Sequence, residues 1–243
     1  MNAIKTSSLV KRYKNVVAVN SLNLTIEQGT LFALLGVNGS GKTTTIRMLS
    51  CLTRPTSGDA YLLGDSIISN PQAVKSKINI SPQETAVAPN LTVRENLELI
   101  ARIYGCNRKK VGLKVEEIVV SMGMIDVKDQ KARTLSGGWQ RRLSIAMAII
   151  SNPSILFLDE PTLGLDVLAR RELWSVIEKM KGKITILLTT HYMEEAEALS
   201  DQIGIMAKGE LKAVGTATEL MEKTHQPTLQ DAFVALATTI KEI

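Results

Sequence analysis

The sequence predicts an α/β fold built on a mainly parallel sheet, and three observations predict it. Continuous apolar runs at 31–35, 155–158 and 184–188 read as strands buried on both faces. Stretches of helical apolar spacing separate these runs, as parallel strands require of their crossover connections. The first run passes through a glycine-rich loop straight into a helical pattern. A length of 243 residues fits one large domain, or one domain with a subdomain, around such a sheet.

In order along the chain, Leu22, Leu24 and Ile26 alternate as a half-buried strand does, and the Gln28-Gly29 turn leads to the run 31–35. Gly36-Val37-Asn38-Gly39-Ser40-Gly41-Lys42-Thr43 follows, after which Ile46, Leu49 and Leu52 continue at helical spacing. From about residue 82 to 152 strand signals fade, while 93–104 and 115–122 carry helical spacing, so this stretch reads as a helical insertion. Strand character resumes at 155–158 and 184–188, with helices expected over 172–180 and Met193–Leu199. Leu229, Ala232, Phe233 and Leu236 form an i, i+3, i+4, i+7 stripe behind a Thr228 cap, which predicts a closing helix docked on the domain.

Composition bounds the function. Hydrophobic residues at 44% and charged residues at 22% are ordinary globular usage, whereas aromatics at 4% leave few platforms for stacking bases or sugars. The net charge of +5 sits in short scattered groups such as Arg108-Lys109-Lys110 and Arg141-Arg142, which read as solvated faces, so no specific nucleic-acid partner is expected. Cys51 and Cys106 lie in no metal-ligand or disulfide spacing and read as reduced thiols in a cytosolic protein. The first residues lack an apolar core of signal-peptide length, and no run approaches the roughly 18 apolar residues of a membrane helix, so any membrane role is expected to come through a partner.

The chemistry is carried by three segments. Residues 36–43 match GxxxxGK[ST], a pattern that ordinary composition produces on the order of 0.01 times in a chain this long. Its glycines let backbone N–H groups turn around phosphates at a helix N-terminus, Lys42 reaches the outer phosphates, and the Thr43 hydroxyl suits Mg²⁺. The strand at 155–158 ends in Asp159 and Glu160, at the edge of an open α/β sheet where ligands bind. An Asp-Glu pair there can simply cap the next helix, but beside the loop 36–43 it reads as a Mg²⁺ carboxylate, Asp159, and a water-polarising base, Glu160. Ser136 is a good N-cap for a helix whose Trp139, Leu143, Ala146 and Ile150 form a buried stripe. Gly137 and Gly138 directly after it leave N–H groups uncovered at the positive helix end, a second anion site on a chain that already has one.

Taken together, these motifs resemble the ATP-binding-cassette (ABC) ATPases over about residues 2–240. The resemblance implies a P-loop NTPase with a mainly parallel core sheet, an N-terminal antiparallel β subdomain and an inserted α-helical subdomain. It also implies a division of the single domain into an ATP-binding core at 1–81 and 153–215, a helical subdomain at 82–152 and a C-terminal helical extension at 216–243. Leu135-Ser136-Gly137-Gly138-Trp139-Gln140 resembles the family's signature sequence, which completes the ATP site of the facing subunit in a head-to-tail dimer. Gly36, Asn38, Gly39, Ser40, Gly41, Lys42, Thr43 and Thr44 are then the nucleotide's own loop, with ATP and Mg²⁺ as cofactors. Tyr13 is similar to the aromatic that stacks on adenine. Gln83 resembles the glutamine that touches Mg²⁺ and the water and joins the helical subdomain to the core. Asp166 resembles the aspartate that crosses the dimer interface, and His191 the histidine that contacts the terminal phosphate. Two departures stand out: Trp139 where the family most often has glutamine, and Leu163-Gly164 before Leu165-Asp166 where it commonly has Ser-Ala.

The expectation is therefore an ATPase subunit of a membrane exporter, working with a second cassette, preferably a second copy, and with a separate integral membrane permease at the cytoplasmic face of the membrane. Segments such as Pro227-Thr228-Leu229-Gln230-Asp231-Ala232-Phe233 resemble cassettes that serve small export permeases for drugs, antibiotics or polysaccharides. Two rival readings exist: a soluble ABC ATPase acting on nucleic acid or ribosomes, and a non-hydrolysing regulatory nucleotide-binding subunit. Scattered basic residues speak against the first, and Glu160 with His191 against the second.

Overall fold

A computed structural model describes residues 1–238. The chain opens with β1 (Asn2–Tyr13), β2 (Val16–Leu22) and β3 (Thr25–Glu27), then enters β4 (Leu31–Leu35) and helix α1 (Lys42–Leu49). β5 (Ser57–Leu62) and β6 (Asp65–Ser66) complete an antiparallel sheet in the order β2, β1, β5, β6, with β3 also paired to β1. After α2 (Pro71–Lys75) and β7 (Ile78–Ser81) come three helices in succession: α3 (Val93–Ile103), α4 (Arg108–Ser121) and α5 (Gly137–Ile149). β8 (Ile155–Asp159), α6 (Val167–Glu178), β9 (Thr185–Thr190), α7 (Met193–Leu199), β10 (Gln202–Ala207) and β11 (Glu210–Gly215) follow, and α8 (Ala217–Thr224) and α9 (Leu229–Thr238) close the described chain. The second sheet runs β11, β10, β4, β9, β8, β7, parallel throughout except for β11.

Period-two alternation on the central strands divides the molecule into two cores. Leu31, Ala33 and Leu35 of β4, Leu156 and Leu158 of β8, and Ile186 and Leu188 of β9 face the helices. Their neighbours Phe32, Leu34, Ile155, Phe157 and Leu187 face the antiparallel sheet and α1. Covered on both faces, these strands have no polar side to show, which is why their sequence reads as unbroken apolar runs.

Local chemistry moved several boundaries. Leu22, Leu24 and Ile26 are all buried, but the single expected strand is two. At the break the Thr6 hydroxyl of β1 accepts the Leu24 N–H at 2.8 Å, and the Asn23 side chain accepts the Ser8 N–H. α1 does not reach Leu52, which is 63% exposed. The Ser50 hydroxyl bonds back to Ile46 O at 2.8 Å and Cys51 turns left-handed at φ 57°, ending the helix. The helix expected from residue 172 begins five residues earlier, because the Asp166 carboxylate accepts the Leu168 and Ala169 N–H groups, both at 2.9 Å. Thr228 accepts the Asp231 N–H as an N-cap should, and Leu229, Ala232 and Phe233 are buried behind it with Leu236 packed alongside. The last five residues of the expected C-terminal extension, 239–243, lie outside the described residues.

Candidate active site

The site grows from the turn between β4 and α1. Gly41 stands at φ +107°, and a Cβ there would meet Ala18 O at 2.4 Å; a Cβ on Gly36 would meet Met206 O at 2.4 Å. Only glycine fits either place, so the loop is locked into its curve by the surrounding backbone. Lys42, 5% exposed, folds its ammonium back to donate to Gly36 O at 2.7 Å and Val37 O at 3.2 Å, and lies 3.2 Å from Glu160 Oε1. Ser40 is buried and its hydroxyl has no hydrogen-bond partner, an open polar group inside a loop of the phosphate-binding pattern.

The opposite wall comes from the carboxyl ends of β8 and β9. Asp159 pairs in register with Thr189, whose hydroxyl donates to Asp159 Oδ1 at 2.6 Å, while the Thr43 hydroxyl donates to the same oxygen at 3.1 Å. Glu160, 5% exposed, takes a left-handed φ of 49°. Its N–H donates to the backbone and side-chain oxygens of Thr189, both at 3.1 Å, and its Oε2 lies 2.6 Å from His191 Nδ1. The carboxylate is thus held between Lys42 and His191.

A cleft of about 410 Å³ opens over these groups, bordered by Asn38, Gly39, Gly41, Lys42, Thr43 and Thr44 from the loop and by Tyr13, Gln83, Glu160 and His191. Gly36, Ser40 and Asp159 lie buried beneath it. Tyr13 is 44% exposed, with the Lys11 ammonium 4.9 Å from its ring centre. A larger cleft of about 700 Å³ lies at the other end of the sheet, where β8 and β9 begin. Lys183 is its one titratable lining residue, and ligands of open α/β sheets gather at the carboxyl ends, so the smaller cleft is the site.

Residues 136–138 and Asp166 do not border the cleft. Ser136 caps α5 through a 3.5 Å contact from Trp139 N, and Ser136 and Gly137 are exposed. A Cβ on Gly138 would come within 3.1 Å of Ala169 Cβ, which places the start of α5 beside the start of α6 and its cap Asp166. Trp139 is half-buried against the helical core, and the Arg142 guanidinium stacks 4.4 Å from its ring centre while pairing with Glu172 of α6 at 3.1 Å. Of the two departures from the family pattern, Trp139 is therefore used in packing, toward α6.

The donor set fits a magnesium ion held jointly with phosphates. It offers hard oxygens from Thr43 and Asp159 with Gln83 at the rim, and among the described residues no group of three or more His, Cys, Asp or Glu could hold a metal unaided.

Three buried charged residues escaped the sequence reading. Arg141 and Arg142, read there as a solvated pair, are 3% and 9% exposed. Burial lowers the Arg141 pKa, partly offset by the nearby carboxylates of Asp159, Glu195 and Glu160. Glu195 on α7 is fully buried, and burial pushes its carboxyl up, against the Nε1–H that Trp174 donates to Oε1 at 3.0 Å. The signal for Arg141 was its share in the stripe Arg141, Ile145, Ala148, a second face of α5 that is also buried.

Comparison with known proteins gives a consistent set of likenesses. The model of the family described as ABC transporter matches residues 19–163. The daunorubicin/doxorubicin resistance ATP-binding protein DrrA of Streptomyces peucetius is 40% identical over 90% of this chain and 66% of its own length. A daunorubicin resistance ATP-binding protein, DrrA3 of Streptomyces coeruleorubidus, is 39% identical over 91% of this chain and 71% of its own. The human phospholipid-transporting ATPase ABCA3 is 42% identical over 86% of the chain, which spans only 12% of that protein. Among solved structures, an ATP-binding subunit of an ABC transporter superposes with TM-score 0.84 at 26% identity, covering 96% of this chain and 99% of that one. A dimeric ABC cassette in a post-hydrolysis state bound to ADP and Pi superposes with TM-score 0.78 at 26% identity, covering 88% and 98%.

Proposed function

Because the chain belongs to the ABC transporter family, we propose that it is the ATP-hydrolysing subunit of a membrane exporter, acting as a head-to-tail dimer, preferably of two copies. The observation that carries this reading is the convergence of Lys42, Glu160 and His191 at one end of a cleft floored by a phosphate-binding loop. Phosphoryl transfer asks for positioning and charge stabilisation, which these groups supply.

ATP enters with its phosphates over residues 36–44 and its base toward Tyr13. Lys42 leaves Glu160 and the loop carbonyls for the outer phosphates, and the unpartnered Ser40 hydroxyl gains an acceptor. Thr43 and Asp159, with Gln83, would hold Mg²⁺, which neutralises charge on the phosphate oxygens. Released from Lys42, Glu160 orients a water for attack on the terminal phosphorus. The bond to the bridging oxygen of ADP breaks, and the water proton passes through Glu160 to the products. His191, beside Glu160, supplies a contact to the terminal phosphate. Residues 136–138 of the facing subunit present the N-terminus of α5 to the same phosphate, and Asp166 lines that junction.

The exporter reading draws on the drug-resistance names of the relatives, and the site at the cytoplasmic membrane face goes with that reading. Among the described residues no helix is long and apolar enough to cross a membrane. The drug-resistance relatives, named as ATP-binding proteins, favour a separate permease as the membrane path. Co-purification tests this: the chain should come off a column with a tagged adjacent-gene polypeptide holding membrane spans of about 20 apolar residues. Phosphate release from MgATP by the complex, absent from its Glu160→Gln form, completes the test. Tight nucleic-acid binding that weakens steeply with salt would overturn it in favour of a soluble role.

A further inference from the structure

Arg141 lies three residues beyond Gly138 on α5, and its guanidinium is buried among backbone carbonyls. Nε donates to Pro161 O at 2.7 Å, Nη1 to Pro82 O at 2.5 Å, and Nη2 to Glu160 O at 2.6 Å and Asp159 O at 3.2 Å. Three of these acceptors form the turn that carries Glu160, and the fourth is the peptide oxygen just before Gln83. A charge buried in this way is costly, and an apolar side chain would fill the space more cheaply. The place therefore asks what the fork of donors accomplishes.

Glu160 sits at φ 49°, a left-handed conformation that a residue with a Cβ keeps only when its surroundings hold it. Thr189 holds the N–H side and Arg141 the C=O side, so both peptide groups flanking the carboxylate are fixed. The same guanidinium fixes the Pro82-Gln83 junction, where β7 gives way to the stretch leading into α3. We propose that Arg141 is a positioning residue for hydrolysis: it ties the start of α5 to the backbone of Glu160 and to Gln83. The helix end that receives the partner's nucleotide and the carboxylate that acts on the chain's own then move as one body. This rests on the ATPase reading above. A lysine, with one compact ammonium, cannot reach four carbonyls in this planar arrangement.

The test compares Arg141→Lys and Arg141→Met with the unaltered full chain in MgATP turnover, with binding of a fluorescent ATP analogue to each. The expected result is a kcat reduced about 10-fold or more in both, with KM and analogue affinity within about threefold. A chain carrying both Arg141→Lys and Glu160→Gln should still form the ATP-held dimer of Glu160→Gln alone on a sizing column. Unchanged kcat in both variants overturns the proposal, as does a parallel fall of kcat, ATP affinity and melting temperature, which marks a structural role only. If Arg141→Met does not fold, Arg141→Lys decides. Failure of the parent reading shows separately, as absent turnover in the unaltered chain.

Discussion

Lys42 Nζ stands 3.2 Å from Glu160 Oε1, with the two side chains only 5% and 6% exposed. The residue expected to grip phosphate and the residue expected to activate water thus neutralise each other across the cleft floor. A buried pair of this kind is costly to break unless a new partner replaces the lost one, and a nucleotide phosphate is such a partner for Lys42. Binding and activation become one event, since the phosphate that draws Lys42 away also frees Glu160.

The Glu160→Gln variant should separate the two halves of that exchange. Lys42 keeps its carbonyl partners at Gly36 and Val37 but no longer has a carboxylate to leave, so ATP affinity should hold or rise. Without the base, turnover should fall about 10²-fold or more. Phosphate release and equilibrium ATP binding measure the two quantities; near-normal release would remove Glu160 from its assigned role.

Gly138→Ala addresses the second anion site. Its Cβ would stand 3.1 Å from Ala169 Cβ and touch nothing of the chain's own cleft. ATP affinity of the monomer should therefore stay within about twofold while dimer turnover falls about tenfold or more. Sedimentation with ATP reads out the dimer, and a large loss of monomer affinity would show that residues 136–138 serve the nucleotide of their own chain.

How much of this was legible in the sequence follows how local each feature is. The loop 36–43 closes on itself, so spacing revealed it, and strand β4 is buried on both faces, so hydropathy revealed that. Asp159 and Glu160 were legible as a strand end, but the Lys42 to Glu160 pairing joins residues 118 apart and no periodicity signals it. The start of α6 was missed because Val167 and Leu168 are exposed and blur its apolar stripe, leaving only the Asp166 cap as a sign. Arg141 reads as a surface charge and Glu195 carries no signal of its own, because burial is decided by what packs over a side chain. The split between β2 and β3 depends on the Thr6 hydroxyl from another strand, which no reading of 22–26 contains.

Asp166 has two roles that one pair of variants can resolve. As the N-cap of α6 it satisfies two backbone N–H groups, so Asp166→Ala should cost about 1 kcal/mol, or roughly 2–4 °C in melting temperature at this chain length. Asp166→Asn keeps a cap acceptor and should melt within about 1 °C of the unaltered chain. A turnover defect in Asp166→Asn at unchanged melting temperature would report on the dimer junction alone; equal melting losses in both variants would contradict the capping account.

Glu195 gives a prediction about pH. Its carboxyl is fully buried, and burial raises its pKa above the usual carboxylate range despite the Trp174 Nε1–H donated to Oε1 at 3.0 Å. The native state therefore binds this proton more readily than the unfolded chain does. Stability linked to the protonated form is fully present below the unfolded pKa and is lost as pH rises through the folded one. Glu195→Gln cannot titrate, keeps an oxygen for Trp174, and escapes that loss. Its melting temperature relative to the unaltered chain should accordingly climb from about pH 5 to about pH 8, following the direction of linkage. Thermal melts of both proteins across that range check the sign: a constant difference would mean the carboxyl titrates alike in both states, and a falling one would mean that it is held charged by its neighbours.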